Sequence, residues 1–303
     1  MKKNISSLQA DLILFVVALL WGTTFVTSKV SLESLPPFSI ISFRFILATL
    51  LMGTIFRKDL KTIDRKDIKG GLCVGTMLFI AFATQLVALK YTEPGKQAFL
   101  AATYVIFVPF CVWALTRKKP DNKSFIGAFA CFIGIGLLTL KEGFSMGYGD
   151  SLTMLSSVFF AGHILTTEHF VKDSSPVKIS VTQFGTVAIM ASAMSLMFEK
   201  IEVAPSIGVI AMILYLGVFC SGIAYFLQTL GQKYTKSTHA AIIMSLEAVF
   251  GSILSVIFMH EIFTPRMIGG CVIIFGSILV IELKGSGEAD GLSEIAGDMN
   301  KTK

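Results

Sequence analysis

Lys90-Tyr91-Thr92, with Phe107, Gly127 and Gly134 beyond it, returns about 142 residues later as Lys233-Tyr234-Thr235, with Phe250, Gly269 and Gly276 beyond that. Residues 90–136 and their later copy both lie in hydrophobic stretches. Landmarks that recur at a fixed separation mark a duplicated structural unit. A duplicated unit among apolar spans points to a protein that works on both sides of a membrane, because carriers are often built this way.

Outward from these copies the chain stays apolar. It is 53% hydrophobic and 15% charged, with a mean hydropathy of +0.74. Soluble domains carry roughly 25% charged residues, so a water-covered globule is excluded. Ten segments offer the about 20 mostly apolar residues that a span needs. They run at 11–29, 37–56, 69–89, 95–116, 124–141, 151–171, 179–198, 207–229, 237–259 and 266–283. Pro37, Pro94, Pro176 and Pro265 stand near the starts of four of them, where proline suits a first helical turn. Lys2 and Lys3 precede the first run, but no small-residue cleavage site follows, so it reads as a retained span.

Basic residues orient the spans. With the N-terminus inside, the inner loops collect Lys2, Lys3, Arg57, Lys58, Lys61, Arg65, Lys66, Arg117, Lys118, Lys119, Lys178, Lys233 and others. The outer side collects Lys29, Lys90, Lys96, Lys141, Lys200 and Arg266. Both termini are then cytoplasmic, and the net charge of +6 needs no nucleic acid to explain it. Five spans per half is an odd number, so the second half enters from the opposite face. The expected fold is an all-α polytopic membrane protein of ten transmembrane helices arranged as two inverted five-helix repeats. The division is 1–146, 147–284 and a disordered cytoplasmic tail over 285–303, rich in Gly, Ser and acids. Trp21-Gly22 then matches Ala161-Gly162, and Pro36 matches Pro176. The scattered cysteines show no metal-ligand spacing and read as small buried hydrophobes.

The run from Tyr215-Leu216-Gly217-Val218-Phe219 through Ala224-Tyr225, Tyr234-Thr235 and Ser245-Leu246-Glu247-Ala248-Val249-Phe250 to His260-Glu261 and Gly269 resembles the drug/metabolite transporter superfamily, and within it the EamA-type ten-helix exporters. Trp21-Gly22 and Phe43-Arg44-Phe45 fit the same pattern. The resemblance spans nearly the whole chain. It implies two five-helix halves around a central cavity, alternating access, and export of small metabolites or amino acids. Two departures stand out. Arg117-Lys118-Lys119 replaces the acid that often ends the fourth helix, which reads as a loop difference, and only Glu261 keeps that acid. Ala248 follows Glu247 where many relatives carry proline, which removes the residue expected to kink that helix.

Polar residues inside the bilayer cost about 2.5–3.5 kcal/mol on insertion scales when charged, so each needs a reason. Glu247 falls near the midplane of the ninth span, and its repeat mate Tyr104 near that of the fourth. Glu247 is either a cavity carboxylate, meeting a cationic group or carrying a proton, or a structural hydrogen bond. Arg44 lies about 10 Å from the outer face at 1.5 Å per residue. It pairs with Glu247, meets a substrate carboxylate, or snorkels outward; its mate is Phe184. His163, matched to Thr23, is a proton relay or a neutral packing residue. Trp21, Tyr215 and Tyr225 offer apolar faces with polar tips to line a cavity. Gln85 and Gln183 sit nearer span ends and rank below these, and Glu168 and His169 read as solvated.

No P-loop, GxSxG or HExxH motif occurs. A membrane-embedded lipid-modifying enzyme would need a catalytic cluster at one interface, whereas the polar residues here spread near the midplane. The expected function is a secondary transporter without cofactor or metal, not an enzyme. Its partners are a small-molecule substrate, the lipid bilayer and protons as a coupling ion.

Overall fold

The computed structural model describes residues 7–117, 119, 122–139, 146–201, 204–235 and 237–282; the expected tail lies outside them. Among these residues all regular structure is helical. The stretches are α1 Ser7–Ser31, α2 Pro37–Ile55, α3 Arg65–Leu89, α4a Pro94–Ala102, α4b Tyr104–Thr116 and α5 Asn122–Thr139. After them come α6 Tyr148–Lys172, α7 Pro176–Phe198, α8a Ile207–Tyr215, a π-helical stretch Leu216–Ile223 and α8b Ala224–Gln232. α9a Ser237–Ser245, α9b Glu247–Met259 and α10 Pro265–Glu282 complete the fold.

Prolines open α2, α4a and α7 at their first positions, where a missing N–H costs nothing. Asp64 and Asp67 close α3's start with a reciprocal capping box. Apolar residues cover every side of the helices. Leu196, Ile207, Ile262 and Phe132 are 74–86% exposed, side chains that suit lipid rather than water. Among the described residues seven helices are long and apolar enough to cross a membrane, and two apolar ones are shorter, Phe125–Leu138 and Pro265–Ser277. α6 has the length but carries Asp150, His163 and Glu168. The protein is therefore an all-helical, multi-pass membrane protein, with seven of the ten expected crossings meeting both length and hydropathy.

The repeat is visible in the backbone. α4 breaks at Thr103 and α9 at Leu246, which are 143 residues apart. Each break is a single tightened turn: Ile106 N–H donates to Thr103 O at 2.9 Å and Val249 N–H to Leu246 O at 3.0 Å. The chain therefore bends beside Glu247 although Ala248, not proline, follows it. α4b ends at Arg117 (φ 61°) and α9b at His260 (φ 54°), again 143 apart. They are the two non-glycine residues with positive φ among the described residues.

α1 packs on α9b so closely that a Cβ on Gly22 would lie 2.5 Å from Phe250 Cβ. α3 lies between α6 and α7, α2 runs along α7, and α5 pairs with α10. The core between them is aromatic, with Phe45 against Phe82, Phe184 and Tyr225.

Candidate functional site

The two bends place Tyr104 and Glu247 at the first positions of α4b and α9b, facing one internal cavity. Trp21 and Thr24 of α1, Arg44 of α2, Phe82 and Gln85 of α3, His163 of α6, and Tyr225 and Gln228 of α8b also line it. Its volume is about 30 Å³, space for a few waters and too little for a metabolite. The walls must part before a solute enters.

Glu247 is 6% exposed and lies within electrostatic reach of Tyr104. Tyr104's buried hydroxyl has no hydrogen-bond partner of normal geometry. Arg44 is 1% exposed, so it does not snorkel. Its Nε donates to Ser221 Oγ at 3.1 Å and its guanidinium lies 4.7 Å over the Phe82 ring, a cation–π contact. Its Nη2 is buried without a partner. Among the described residues neither Arg44 nor Glu247 joins an ion pair within 4 Å. The expected pairing of Arg44 with Glu247 is absent. Burying two charges usually demands that they pair; here they line the same space apart.

The π-helical stretch explains Arg44's position. Its wider turn presents Ser221 Oγ to Arg44 and Cys220 O to Trp21, whose Nε1 donates at 3.1 Å. Gly217 makes room, since a Cβ there would lie 2.8 Å from a Leu47 methyl. The matching region of the first half, within α3, is regular helix.

Tyr225 packs against Trp21 with the rings tilted by 44° and their centroids 4.7 Å apart, and meets His163 edge-on at 5.7 Å. His163 is held at Nε2 by Gln183 Oε1 at 3.0 Å, while its ring borders the cavity. Tyr215 departs from expectation. Its hydroxyl bonds Thr23 Oγ1 at 2.8 Å, its ring stacks on Phe219, and it does not line the cavity. Six of the seven residues singled out thus meet at one cavity. Gln85, ranked lower, lines it too, and Gln228 was missed although it repeats Gln85 143 residues on. Glu168 is buried and ion-paired to Lys172 at 2.9 Å rather than solvated; His169 is exposed. No group of three metal-ligating side chains occurs among the described residues.

Carboxylates brace the ends of the bundle. Glu199 accepts from the N–H groups of Phe38 and Ser39 at the start of α2, both at 2.8 Å. At the opposite end Asp67 accepts from Lys178 in the first turn of α7 at 2.9 Å, and from Ser174 Oγ. Phe38 and Lys178 are matched positions, but the carboxylates are not: Glu199 follows α7, whereas Asp67 lies in the first turn of α3. Glu261 holds the start of α4a, accepting from Gly95 N–H at 2.8 Å and Lys96 N–H at 3.1 Å, with Ser255 Oγ on the same carboxylate.

A duplicated helical membrane bundle with a polar cavity between the bends of its two halves defines a membrane transporter. The chain belongs to the EamA-like transporter family, which matches residues 8–140 and 147–283. The family is one of transporters, not enzymes. Similar relatives include an uncharacterized transporter of Archaeoglobus fulgidus, 32% identical over 93% of this chain and 88% of that one. The uncharacterized transporter YyaM of Bacillus subtilis is 26% identical over 84% and 88%. The uncharacterized inner membrane transporter YedA of Escherichia coli is 22% identical over 70% of each. A solved crystal structure, 18% identical, superposes with a TM-score of 0.68 over 90% of this chain and 96% of its own, a likeness of fold.

Proposed function

We propose that this chain is a secondary transporter that exports a small zwitterionic metabolite, of the amino-acid kind, across the cytoplasmic membrane by alternating access. The observation that carries this reading is the pair of unpaired opposite charges, Glu247 and Arg44, on one buried cavity. A solute with an ammonium at one end and a carboxylate at the other supplies both missing partners. Arg44 offers a fixed, bidentate donor to the carboxylate. Trp21, Phe82 and Tyr225 give its carbon skeleton an apolar wall. Export, rather than uptake, is what the family resemblance implies.

Ten helices in two inverted halves suit a rocking motion about this cavity. The excess of basic residues in one set of loops supports an orientation with the Asp67 end and both termini in the cytoplasm and the Glu261 end outside. Glu247 is also the group that ties transport to protons. A buried carboxylate with no cation in reach holds either a proton or the substrate's ammonium, so export exchanges one for the other. The titratable and charged groups around it are Tyr104 and Tyr225, with His163 and Arg44 on the same cavity.

Counterflow in proteoliposomes tests the reading with a panel of labelled zwitterions, monocarboxylates and amines of similar size. Zwitterions are expected to be carried, and carried faster out of the lumen corresponding to the cytoplasm when the opposite face is acidic. Glu247→Gln is expected to remove that pH dependence along with most of the flux. Unchanged flux and pH response in Glu247→Gln would refute the carboxylate's role.

A further inference from the structure

Gln228, on α8b, is 1% exposed and lines the cavity, yet neither its amide nitrogen nor its amide oxygen has a hydrogen-bond partner. Buried amides are nearly always bonded at both ends, so this one calls for a ligand. Its counterpart 143 residues earlier is Gln85 of α3, on the same cavity. That separation is also the one between Lys90 and Lys233, between the two helix breaks, and between the two left-handed caps. The other matched lining positions differ between the halves: Tyr104 against Glu247, Phe82 against Tyr225 and Thr24 against Ile164. The glutamines are the matched pair at which both halves present the same side chain.

Identity at this one position has a consequence in an inverted repeat. When such a carrier passes between its two open states, each half takes up the environment that the other has left. A group held by Gln228 in one state is met by Gln85 in the other. An amide both donates and accepts, so the group it serves is neutral and hydrogen-bonding. A charge would be served better by Arg44 or Glu247.

We propose that Gln85 and Gln228 are a specificity pair that recognises a neutral hydrogen-bonding group of the substrate, a hydroxyl or carboxamide, with one amide engaged in each state of the cycle. The proposal rests on the zwitterion reading above and adds a third group to it. Gln97 also has an unpartnered amide oxygen, but it does not line the cavity, and its Nε2 is spent on Gln85's backbone oxygen at 2.9 Å.

L-serine and L-alanine, which carry the same charges and differ by one hydroxyl, serve as probes. Both are assayed by counterflow in right-side-out and inverted proteoliposomes of the full chain. A site built to bond a hydroxyl disfavours the analogue that lacks it, so serine is expected to exceed alanine by about tenfold or more. Gln228→Leu and Gln85→Leu are each expected to bring the ratio close to one, by lowering serine flux more than alanine flux. The serine half-saturation is expected to rise on opposite faces of the vesicle in the two variants. Gln→Met at either position serves if a leucine variant does not fold. An unchanged serine-to-alanine ratio with alanine still carried overturns the specificity pair and leaves the zwitterion reading standing. A shift confined to one face in both variants also overturns the pair. If the wild type carries neither solute, the zwitterion reading fails and this inference falls with it.

Discussion

α4 and α9 bend at matched residues and end in matched left-handed caps, yet the first residue past the bend is Tyr104 in one and Glu247 in the other. The backbone is duplicated and the chemistry is not. The same holds nearby, where Arg44 answers to Phe184 and the π-helical stretch answers to regular helix in α3. What both halves keep is backbone geometry: the helix breaks and the left-handed caps. What only one half keeps bears charge or orients it. A site lying on the pseudo-symmetry axis needs a single carboxylate there, and a second would add another costly buried charge.

The largest effect should come from exchanging the two bend residues. Glu247→Tyr makes the halves alike and removes a charged contact worth roughly 3 kcal/mol, so counterflow should fall about 100-fold. Adding Tyr104→Glu returns a carboxylate to the axis from the other half. At least about a tenfold recovery is expected if position on the axis is what matters. A double variant as inactive as the single one would tie the function to α9 itself and break the comparison.

Next comes the contrast between Arg44 and Phe184. Arg44→Lys keeps the charge but loses the Nε bond to Ser221 and the flat stack over Phe82. The half-saturation for a zwitterion should rise about tenfold, near 1.4 kcal/mol. Phe184→Leu, at the matched place in α7, removes aromatic packing against Phe45. It should lower the thermal midpoint by about 1 kcal/mol of stability and leave half-saturation where it was.

The two ends supply a smaller contrast. Glu199 and Asp67 brace the starts of α2 and α7, matched helices at opposite ends of the bundle. Glu261 is different, because the matched stretch of the first half is the basic run Arg117-Lys118-Lys119. A carboxylate on helix N–H groups is worth about 0.3–2 kcal/mol. Glu261→Gln should therefore make a cysteine at Thr24 about threefold more reactive to an impermeant thiol reagent from the Glu261 side, a factor that corresponds to less than 1 kcal/mol. Glu199→Gln and Asp67→Asn should lower stability without changing that labelling. Equal labelling in all three variants would reduce Glu261 to another brace.

Much of this arrangement was legible in the chain. Lys90-Tyr91-Thr92 and its copy exposed the duplication because the same residues end matched helices, Lys90 capping α3 and Lys233 capping α8b. Arg44, Glu247 and His163 were conspicuous because polar groups are rare in apolar spans. The break at Leu246 had no such mark. Its proline is absent, and the tightened turn shows only in the backbone hydrogen bonds. The π-helical stretch left no local signal either, since close contact of Gly217 with Leu47 of α2 is a tertiary fact. Gln228 did leave one, as its distance from Gln85 is the repeat's own. It passed unnoticed because glutamine carries no charge to draw attention.

Tyr215 gives the smallest and most discriminating test of the halves' division of labour. It precedes the π-helical stretch and Tyr225 follows it, so a regular turn between them would have set their faces differently. Tyr225 turns into the cavity among Trp21, His163 and Phe82. Tyr215 spends its hydroxyl on Thr23, the residue that matches His163 in the first half. Tyr215→Phe deletes that one bond, and a net loss of about 1 kcal/mol of stability is expected. Zwitterion flux should stay within about threefold of wild type, because no lining atom is removed. Tyr225→Phe alters a lining residue and should change half-saturation more. If Tyr215→Phe proves the more damaging to transport, then the polar contact between α1 and α8 is part of the transport cycle rather than of the frame.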